Sequence, residues 1–236
     1  MNASLIAAMR VLNGPASTAP VFSFVADPDR KAAEQLVLDY HYSKRLPSNV
    51  QGVFGLNDAN GDLVAAIFFS IPPTRWSESV FELTRLVRKD GIKVPLTYLI
   101  SKATKELRRR KGADLIVSFA DNTQGHHGGI YQASSWAFHE MRKPAHDGFL
   151  IDGKFVPRRT CNSNWRTSSR TDLPELLWLM GYDWTVVPHY DSGKFLYWKS
   201  MGKSGDAKAE RLRLGRKAYP KPANDNATDS LAHLLS

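Results

Sequence analysis

A chain of 236 residues, 42% hydrophobic and 23% charged, can bury a core in one α/β domain with excursions, which excludes wholesale disorder. Apolar runs fall short of the roughly 18 residues that span a bilayer, Arg10 interrupts the apolar N-terminal patch, and the single cysteine, Cys161, cannot form an internal disulfide or a cysteine-rich zinc site, so a cytoplasmic protein without membrane association is expected. A formal charge of +9 and a pI of about 9.7 favour polyanionic partners, because each neutralised phosphate releases counterions.

Residues 1–20 read as a flexible arm and Val21–Val25 as a short strand. Asp27-Pro28 is an N-cap followed by proline at the first helical position. Ala32, Ala33, Leu36, Val37 and Tyr40 then recur at helical spacing, so a helix is expected over Pro28–Tyr40. Gln51–Leu56 and Leu63–Ser70 are strand-like runs joined through Asn57–Gly61 as a hairpin, and Val80–Arg88 alternates as a third strand. After the turn Lys89–Pro95, Leu96–Lys111 is a basic helix with Leu99, Ile100, Ala103 and Leu107 on one face, stopped by Gly112. Leu115–Ala120 is apolar throughout, as buried parallel strands are.

The polar loop Asp121–Gly129 follows, then a short helix over Ile130–Phe138 and a hairpin over Gly148–Pro157 around Asp152-Gly153. Arg158–Arg170 has no assignable pattern. Asp172–Met180 reads as a helix closed by Gly181, Trp184–His189 and Lys194–Trp198 as a last hairpin around Asp191-Ser192-Gly193, and Asp206–Leu214 as helical. The expected class is α/β (α+β), a mixed, mostly antiparallel central sheet flanked by helices, in an order that fits a GNAT-like N-acyltransferase core. The expected division is the arm 1–20, a catalytic domain 21–200 with a basic insertion around 140–170, and a basic tail 201–236 with a disordered end.

The positive charge is clustered. Lys102–Lys111 carries six basic residues and one acid, Arg142–Arg170 seven and two, Lys199–Lys221 eight and two. Trp136, Phe138, Phe149, Phe155 and Trp165 lie among or beside these runs, where rings beside cations suit unstacked bases or an ordinary core.

Three motifs carry candidate chemistry. His41-Tyr42-Ser43-Lys44 turns the chain directly after the first helix; the row can move protons or hold an anion, or simply end the helix. In the third strand, strict alternation puts Arg85 on one face with apolar Leu83 and Val87, so its charge needs a carboxylate or phosphate at a site, or a structural salt bridge. Asp121 closes a buried strand, where open α/β sheets place ligands, and can serve as base, clamp, metal ligand or plain cap. Gly125, Gly128 and Gly129 let the backbone approach a ligand, and Tyr131 and Gln132 follow on the next helix. Adjacent His126 and His127 are poor metal candidates, since ligand pairs on a helix sit three or four apart. Arg88 to Lys93 keeps part of the Q/R-x-x-G-x-G/A loop that cradles coenzyme A pyrophosphate: Arg88 and Gly91 fit, while Lys93 stands where a small residue belongs.

HYSK at 41–44, the GVFG and FFSIPP strand pair, ELTRLV, TYLISKATKEL and SFAD…GHHGGIYQASSW together resemble the Mom family of phage DNA-modification proteins, from Leu36 to Trp136, with a return at Tyr197-Trp198-Lys199 and Tyr219-Pro220-Lys221. The resemblance implies a divergent GNAT-like fold and conversion of adenine in double-stranded DNA to a carbamoylmethyl-adenine, which shields phage DNA from restriction. It carries the catalytic set over to His41, Tyr42, Ser43, Arg85, Asp121 and Tyr131, and implies iron as a cofactor, with His41, Tyr42 and Asp121 as candidate ligands.

On this reading Asp121 is base or clamp for the adenine amine, His41 and Tyr42 move protons or hold a metal, and Arg85 stabilises an anionic donor or oxyanion. The target base leaves the duplex and stacks on Tyr131 or Trp136. Lys44, Arg108, Arg109, Arg110, Arg158 and Arg159 grip phosphates. The donor is an acyl-CoA, a glycine-derived metabolite or a charged tRNA. The alternatives are a GNAT-like acyltransferase for a small-molecule or protein amine, and a DNA-binding protein without catalysis.

Overall fold

The structure, a computed structural model, describes residues 21–72, 76 and 78–221; the expected arm and the end beyond Lys221 lie outside the described residues. Strands are numbered along the chain. The main sheet runs β1 (Ser23–Val25), β2 (Val50–Asn57), β3 (Leu63–Ser70), β4 (Val80–Arg88), β5 (Leu115–Asp121), β10 (Lys194–Ser200), β6 (Ala137–Arg142). Neighbours are antiparallel except β4 and β5, which run parallel. This is the mixed, mostly antiparallel class that the sequence implies.

Helices cover both faces. α1 (Arg30–Tyr40) starts two residues later than Pro28, because the Asp29 carboxylate accepts the Ala32 N–H at 2.7 Å and sets the cap there. It buries Ala33, Leu36 and Val37 against Ala66, Phe68 and Val87. α2 (Leu96–Lys111) covers the opposite face, with Leu99, Ile100, Ala103 and Leu107 packed on Phe54, Ile67 and Leu83. Burying each of its larger side chains contributes about 2 kcal/mol. Gly112, left-handed at φ 64°, closes it.

A second, three-stranded sheet of β8 (Lys154–Pro157), β7 (His146–Ile151) and β9 (Val186–Tyr190) carries α4 (Arg158–Trp165) and α5 (Asp172–Leu179). It has its own core of Phe149, Ile151, Cys161, Leu173 and Leu177. This module sits in the chain between β6 and β10. Asp191 ties its ends together: the Asp191 N–H donates to the Ala145 carbonyl at 3.0 Å, and its carboxylate accepts the N–H groups of Ala145 at 3.1 Å and Gly193 at 3.0 Å.

Several expectations change here. The basic insertion extends past residue 170 to Tyr190, and α4 occupies the stretch without a pattern. Val186–Tyr190 and Lys194–Ser200 are not a hairpin: β9 pairs with β7, whereas β10 lies between β5 and β6. The short helix ends early, as α3 (Gly129–Ala133), because Ser135 is left-handed at φ 58° and Trp136 N–H closes back on the Tyr131 carbonyl. The strand β6 then begins at Ala137. Past residue 200 the chain stays part of the fold. α6 (Lys203–Arg211) buries Ala209 against β5 and β10, the Gly215 carbonyl accepts from the Trp198 indole at 2.9 Å, and the Tyr219 hydroxyl donates to the Trp136 carbonyl at 2.9 Å. No helix among the described residues is long and apolar enough to cross a membrane.

Candidate active site

The parallel pair β4–β5 is joined only from Val80↔Leu115 to Leu83↔Ser118. Beyond that point β4 stays with β3 as far as Arg88, and β5 stays with β10 as far as Asp121. The strand ends diverge and a cleft of about 520 Å³ opens between them, a size suited to a small ligand or a single base. Its walls come from the end of α1 (Tyr40, His41, Tyr42), the free edges of β4 and β5, and the loop from Gly125 to Tyr131. Gly128 is required in that loop. It sits at φ 85°, and a Cβ there would fall 2.2 Å from the Tyr197 ring, whose hydroxyl holds the loop by donating to the His127 carbonyl at 2.6 Å.

His41 is buried, and its Nδ1 accepts the Ser43 backbone N–H at 3.1 Å, with the Ser43 hydroxyl 2.9 Å away. A backbone N–H can only donate, so Nδ1 carries a lone pair and the neutral ring bears its proton on Nε2. Burial, then the positive charge of Arg85 and the neighbouring His126, lower the His41 pKa to about 4. Tyr42 is half exposed, packs tilted on the His41 ring at 4.4 Å and meets His126 edge-on at 5.4 Å. Burial of its hydroxyl and the negative charge of Asp121 raise its pKa, against Arg85, so it keeps its proton. Ser43 is not a cleft wall; it fixes the His41 ring from behind.

Asp121 caps the single 3₁₀ turn Asn122–Gln124 by accepting the Thr123 N–H at 3.0 Å, and it also lines the cleft. Both the cap and the site readings are therefore geometrically met. Tyr131 lines the cleft but is buried, and its hydroxyl lies 2.8 Å from Ser118 Oγ. Ser118 has one hydroxyl proton, and the Leu83 carbonyl, also at 2.8 Å, can only accept it, which leaves Tyr131 to donate to Ser118. Burial pushes the Tyr131 phenol up to about 12. Its ring packs on Trp136 and Tyr197, and Trp136 is fully buried, so these two cannot supply the open stacking face expected of them. The exposed rings at the cleft are Tyr40, Tyr42 and the imidazole of His126.

Arg85 lies elsewhere than strict alternation implies. Register passes from Phe69↔Leu83 to Phe68↔Arg85, so Thr84 is a bulge residue. The bulge turns Arg85 away from Leu83 and onto the face of Phe68 and Val87, beneath the chain that leaves α1. Its guanidinium donates to the Thr84 carbonyl at 2.6 Å and the Arg45 carbonyl at 3.0 Å, and it does not line the cleft. Burial lowers its pKa. Arg88 does line the cleft, although its guanidinium donates to the Ile92 carbonyl at 2.6 Å; Gly91 lies at the turn tip, off the cleft wall.

The expected iron ligands His41, Tyr42 and Asp121 find no support in the geometry. Among the described residues no three His, Cys, Asp or Glu side chains are grouped to hold an ion, His41 Nδ1 is taken by Ser43, and Tyr42 resists ionisation.

The expected DNA-gripping cations divide. Arg109 donates to Glu106 at 2.5 and 2.9 Å, and Arg110 donates to Glu106 at 2.6 Å and to Asp27 at 2.6 and 2.9 Å, which lowers the Glu106 carboxyl to about 2. With Arg108 they end α2, whereas its first residue, Leu96, is the one at the cleft; a helix rises about 1.5 Å per residue, so roughly 18 Å separates the two. They therefore do not flank the cleft. Arg159 instead donates to Ser48 Oγ at 2.7 Å, next to the loop that leaves Tyr42, and Arg158 is exposed beside it. Lys44 Nζ donates to the Asp39 carbonyl.

Sequence reasoning passed over Tyr40, Phe119 and Ser118. The lone serine in the apolar run Leu115–Ala120 was the available signal for the last; nothing local marked Phe119.

The Mom protein family matches residues 23–221 of the chain. No curated protein matches it in sequence. Solved structures with a similar fold include a spermidine N-acetyltransferase F149G mutant from Vibrio cholerae (8% identical, covering 81% of this chain and 96% of that one, TM-score 0.46). Others are the ribosomal-protein-S18-alanine N-acetyltransferase from Escherichia coli (10%, 77% and 95%, 0.45) and a Bacillus subtilis acetyltransferase in complex with CoA (12%, 78% and 99%, 0.44).

Proposed function

The chain belongs to the Mom protein family, and from that premise we propose that it is a transferase that modifies the exocyclic amino group of adenine in double-stranded DNA, yielding a carbamoylmethyl-adenine that protects phage DNA from restriction in the host cytoplasm. The observation that carries this reading is the cleft itself. It brings the Asp121 carboxylate, the protonated Tyr42 phenol and the neutral His41 to one opening, with the exposed rings of Tyr40 and Tyr42 where an extruded base could stack.

The adenine amine is a weak nucleophile because its lone pair is delocalised into the ring. It attacks an electrophilic carbon of the activated donor, forming the N–C bond while the bond from that carbon to the leaving group breaks. Asp121 takes the proton released by nitrogen, and Tyr42 gives a proton to the leaving group. Attack on a methylene that carries the carboxamide, as in a glycine-derived metabolite, yields the carbamoylmethyl group in this one step, whereas an acyl-CoA or a charged tRNA is attacked at its carbonyl and leaves an N-acyl adenine that needs a further step. Arg88 is the cleft residue placed to meet an anionic donor once it releases Ile92.

Asp90 and Asp121 both line the cleft, which favours a cationic amine as a second reading: an N-acyltransferase for a small-molecule or protein amine. Mass spectrometry of nucleosides from cells expressing the protein separates the two. A modified deoxyadenosine absent from control cells supports the DNA reading. Unmodified DNA from cells rich in soluble protein and supplied with each donor class overturns it.

A further inference from the structure

The loop His41–Asn49 brings His41 and Tyr42 to the cleft, yet it has little to hold it internally. Lys44 and Asn49 are non-glycine residues with left-handed φ of 47° and 53°, a conformation that persists only where the surroundings impose it. Its backbone closes on itself through the Lys44 N–H to the His41 carbonyl at 2.9 Å and the Ser43 N–H to His41 Nδ1 at 3.1 Å. Its ends are held by the Ile71 N–H to the Asn49 carbonyl at 3.1 Å and by the Tyr42–His126 ring contact at 5.4 Å, and three arginines fasten its middle. Arg85 donates to the Arg45 carbonyl at 3.0 Å from the bulge of β4. The Arg45 guanidinium donates to the Phe155 carbonyl at 3.1 Å and lies over the Phe155 ring at 5.3 Å. Arg159 donates to Ser48 Oγ at 2.7 Å. The last two come from the inserted module, where Phe155 in turn packs at 4.8 Å on His189, itself held by Asp147 at 2.7 Å.

We propose that Arg45 and Phe155 are positioning residues: the inserted module, through the Phe155–Arg45 contact, holds the loop that presents His41 and Tyr42, so that the second sheet sets the geometry of a site on the first. The inference rests on the proposed reaction for its consequence in chemistry, but not for its structural content. Arg85 belongs to the same clamp. It acts on the loop through Arg45 from the core side, which gives its half-buried guanidinium a role that needs no anionic ligand.

The test is hydrogen–deuterium exchange of the full-length protein, read at the Ser43 and Lys44 amides, with Arg45→Met, Phe155→Ala and Phe155→Tyr. Arg45→Met removes the contact to Phe155 without altering a side chain of the module, leaves the Arg85 bond to the residue-45 carbonyl in place, and should speed exchange at the two amides about tenfold while β2 and β3 keep their protection. Phe155→Ala should give about a threefold rise, since the backbone carbonyl remains, and Phe155→Tyr should restore the wild-type rate. In the modification assay Phe155→Ala should lower the rate of adenine modification and leave duplex affinity within a factor of about two, because no charge changes. Loop exchange unchanged in Arg45→Met overturns the proposal. So does faster exchange spread evenly over the core, or a freed loop with wild-type modification. A wild-type protein that modifies no adenine removes the proposed function alone, since the exchange measurement still reads the clamp.

Discussion

Lys102–Lys111 and Arg158–Arg170 are both dense in cations along the chain, and space treats them differently. In the first, Arg109 and Arg110 face Glu106 and Asp27, and the run lies at the end of α2 away from the cleft. In the second, Arg159 and Arg170 donate to the neutral hydroxyls of Ser48 and Tyr190, and none of the ion pairs among the described residues draws on its four arginines. The difference teaches that a run of like charge reports polyanion binding only after the acids near it in space are counted. Glu106 lies within its own run and Asp27 comes from far along the chain.

The contrast matters only if the cleft is the reacting centre, and Asp121 is the sharpest way to break that. Asp121→Asn should cut adenine modification by a hundredfold or more, within the roughly 10²–10⁴ that general-base catalysis supplies. Asn caps about as well as Asp, so the turn at Thr123 and duplex affinity should persist. Modified adenine above about a tenth of wild type corresponds to less than about 1.4 kcal/mol of lost transition-state stabilisation and would leave Asp121 as a cap only.

A second test asks whether cations near the cleft act on its chemistry. His41 in the folded protein has its pKa lowered from 6.5 to about 4, chiefly by burial and then by Arg85. Below about pH 6.5 the unfolded chain binds a proton that the folded chain refuses. The contribution of neutral His41 is therefore intact above that pH and is lost progressively down to about pH 4. Denaturation across this range should show the wild type losing about 3 kcal/mol relative to His41→Asn, whose amide oxygen can still accept from Ser43. Parallel pH profiles for the two proteins would place His41 in solvent.

The sequence made some of this arrangement readable. Helical spacing located α1 and α2, alternation and turn residues located β2 to β4, and the polar residue ending an apolar strand located Asp121. What it could not show depends on distant partners. β9 and β10 flank a good turn, Asp191-Ser192-Gly193, and look like a hairpin, but the choice of β7 for one and β5 for the other is made by the two separate cores. The bulge at Thr84 has no local signature and reverses the face of Arg85. Tyr131 and Trp136 look like base-stacking rings in a motif and prove to be core.

The second basic segment should matter to DNA by a moderate amount. Arg158→Ala with Arg159→Ala should weaken duplex binding about tenfold at moderate salt and reduce the slope of log affinity against log salt by about 1.8, as expected for two lost phosphate contacts. An unchanged slope would mean that DNA approaches the cleft along another face.

The smallest effect expected is the complement of that one. Arg109→Gln with Arg110→Gln removes two cations from the densest basic run in the chain, and a count of charge alone expects the same loss of about 1.8 in slope. The structure expects almost none. A phosphate that recruits Arg110 must displace a paired contact to the Asp27 carboxylate as well as Glu106, and one that recruits Arg109 must break both of its bonds to Glu106. The guanidinium groups are therefore already paired when DNA arrives, so they neutralise few phosphates and displace few of the cations condensed on the DNA. Titrations of a labelled duplex across a salt series, run beside the Arg158→Ala, Arg159→Ala protein, should give a slope within about 0.3 of wild type. A fall near 1.8 would show that DNA reaches the far end of α2 and displaces those carboxylates, and the distinction between the two basic segments would collapse.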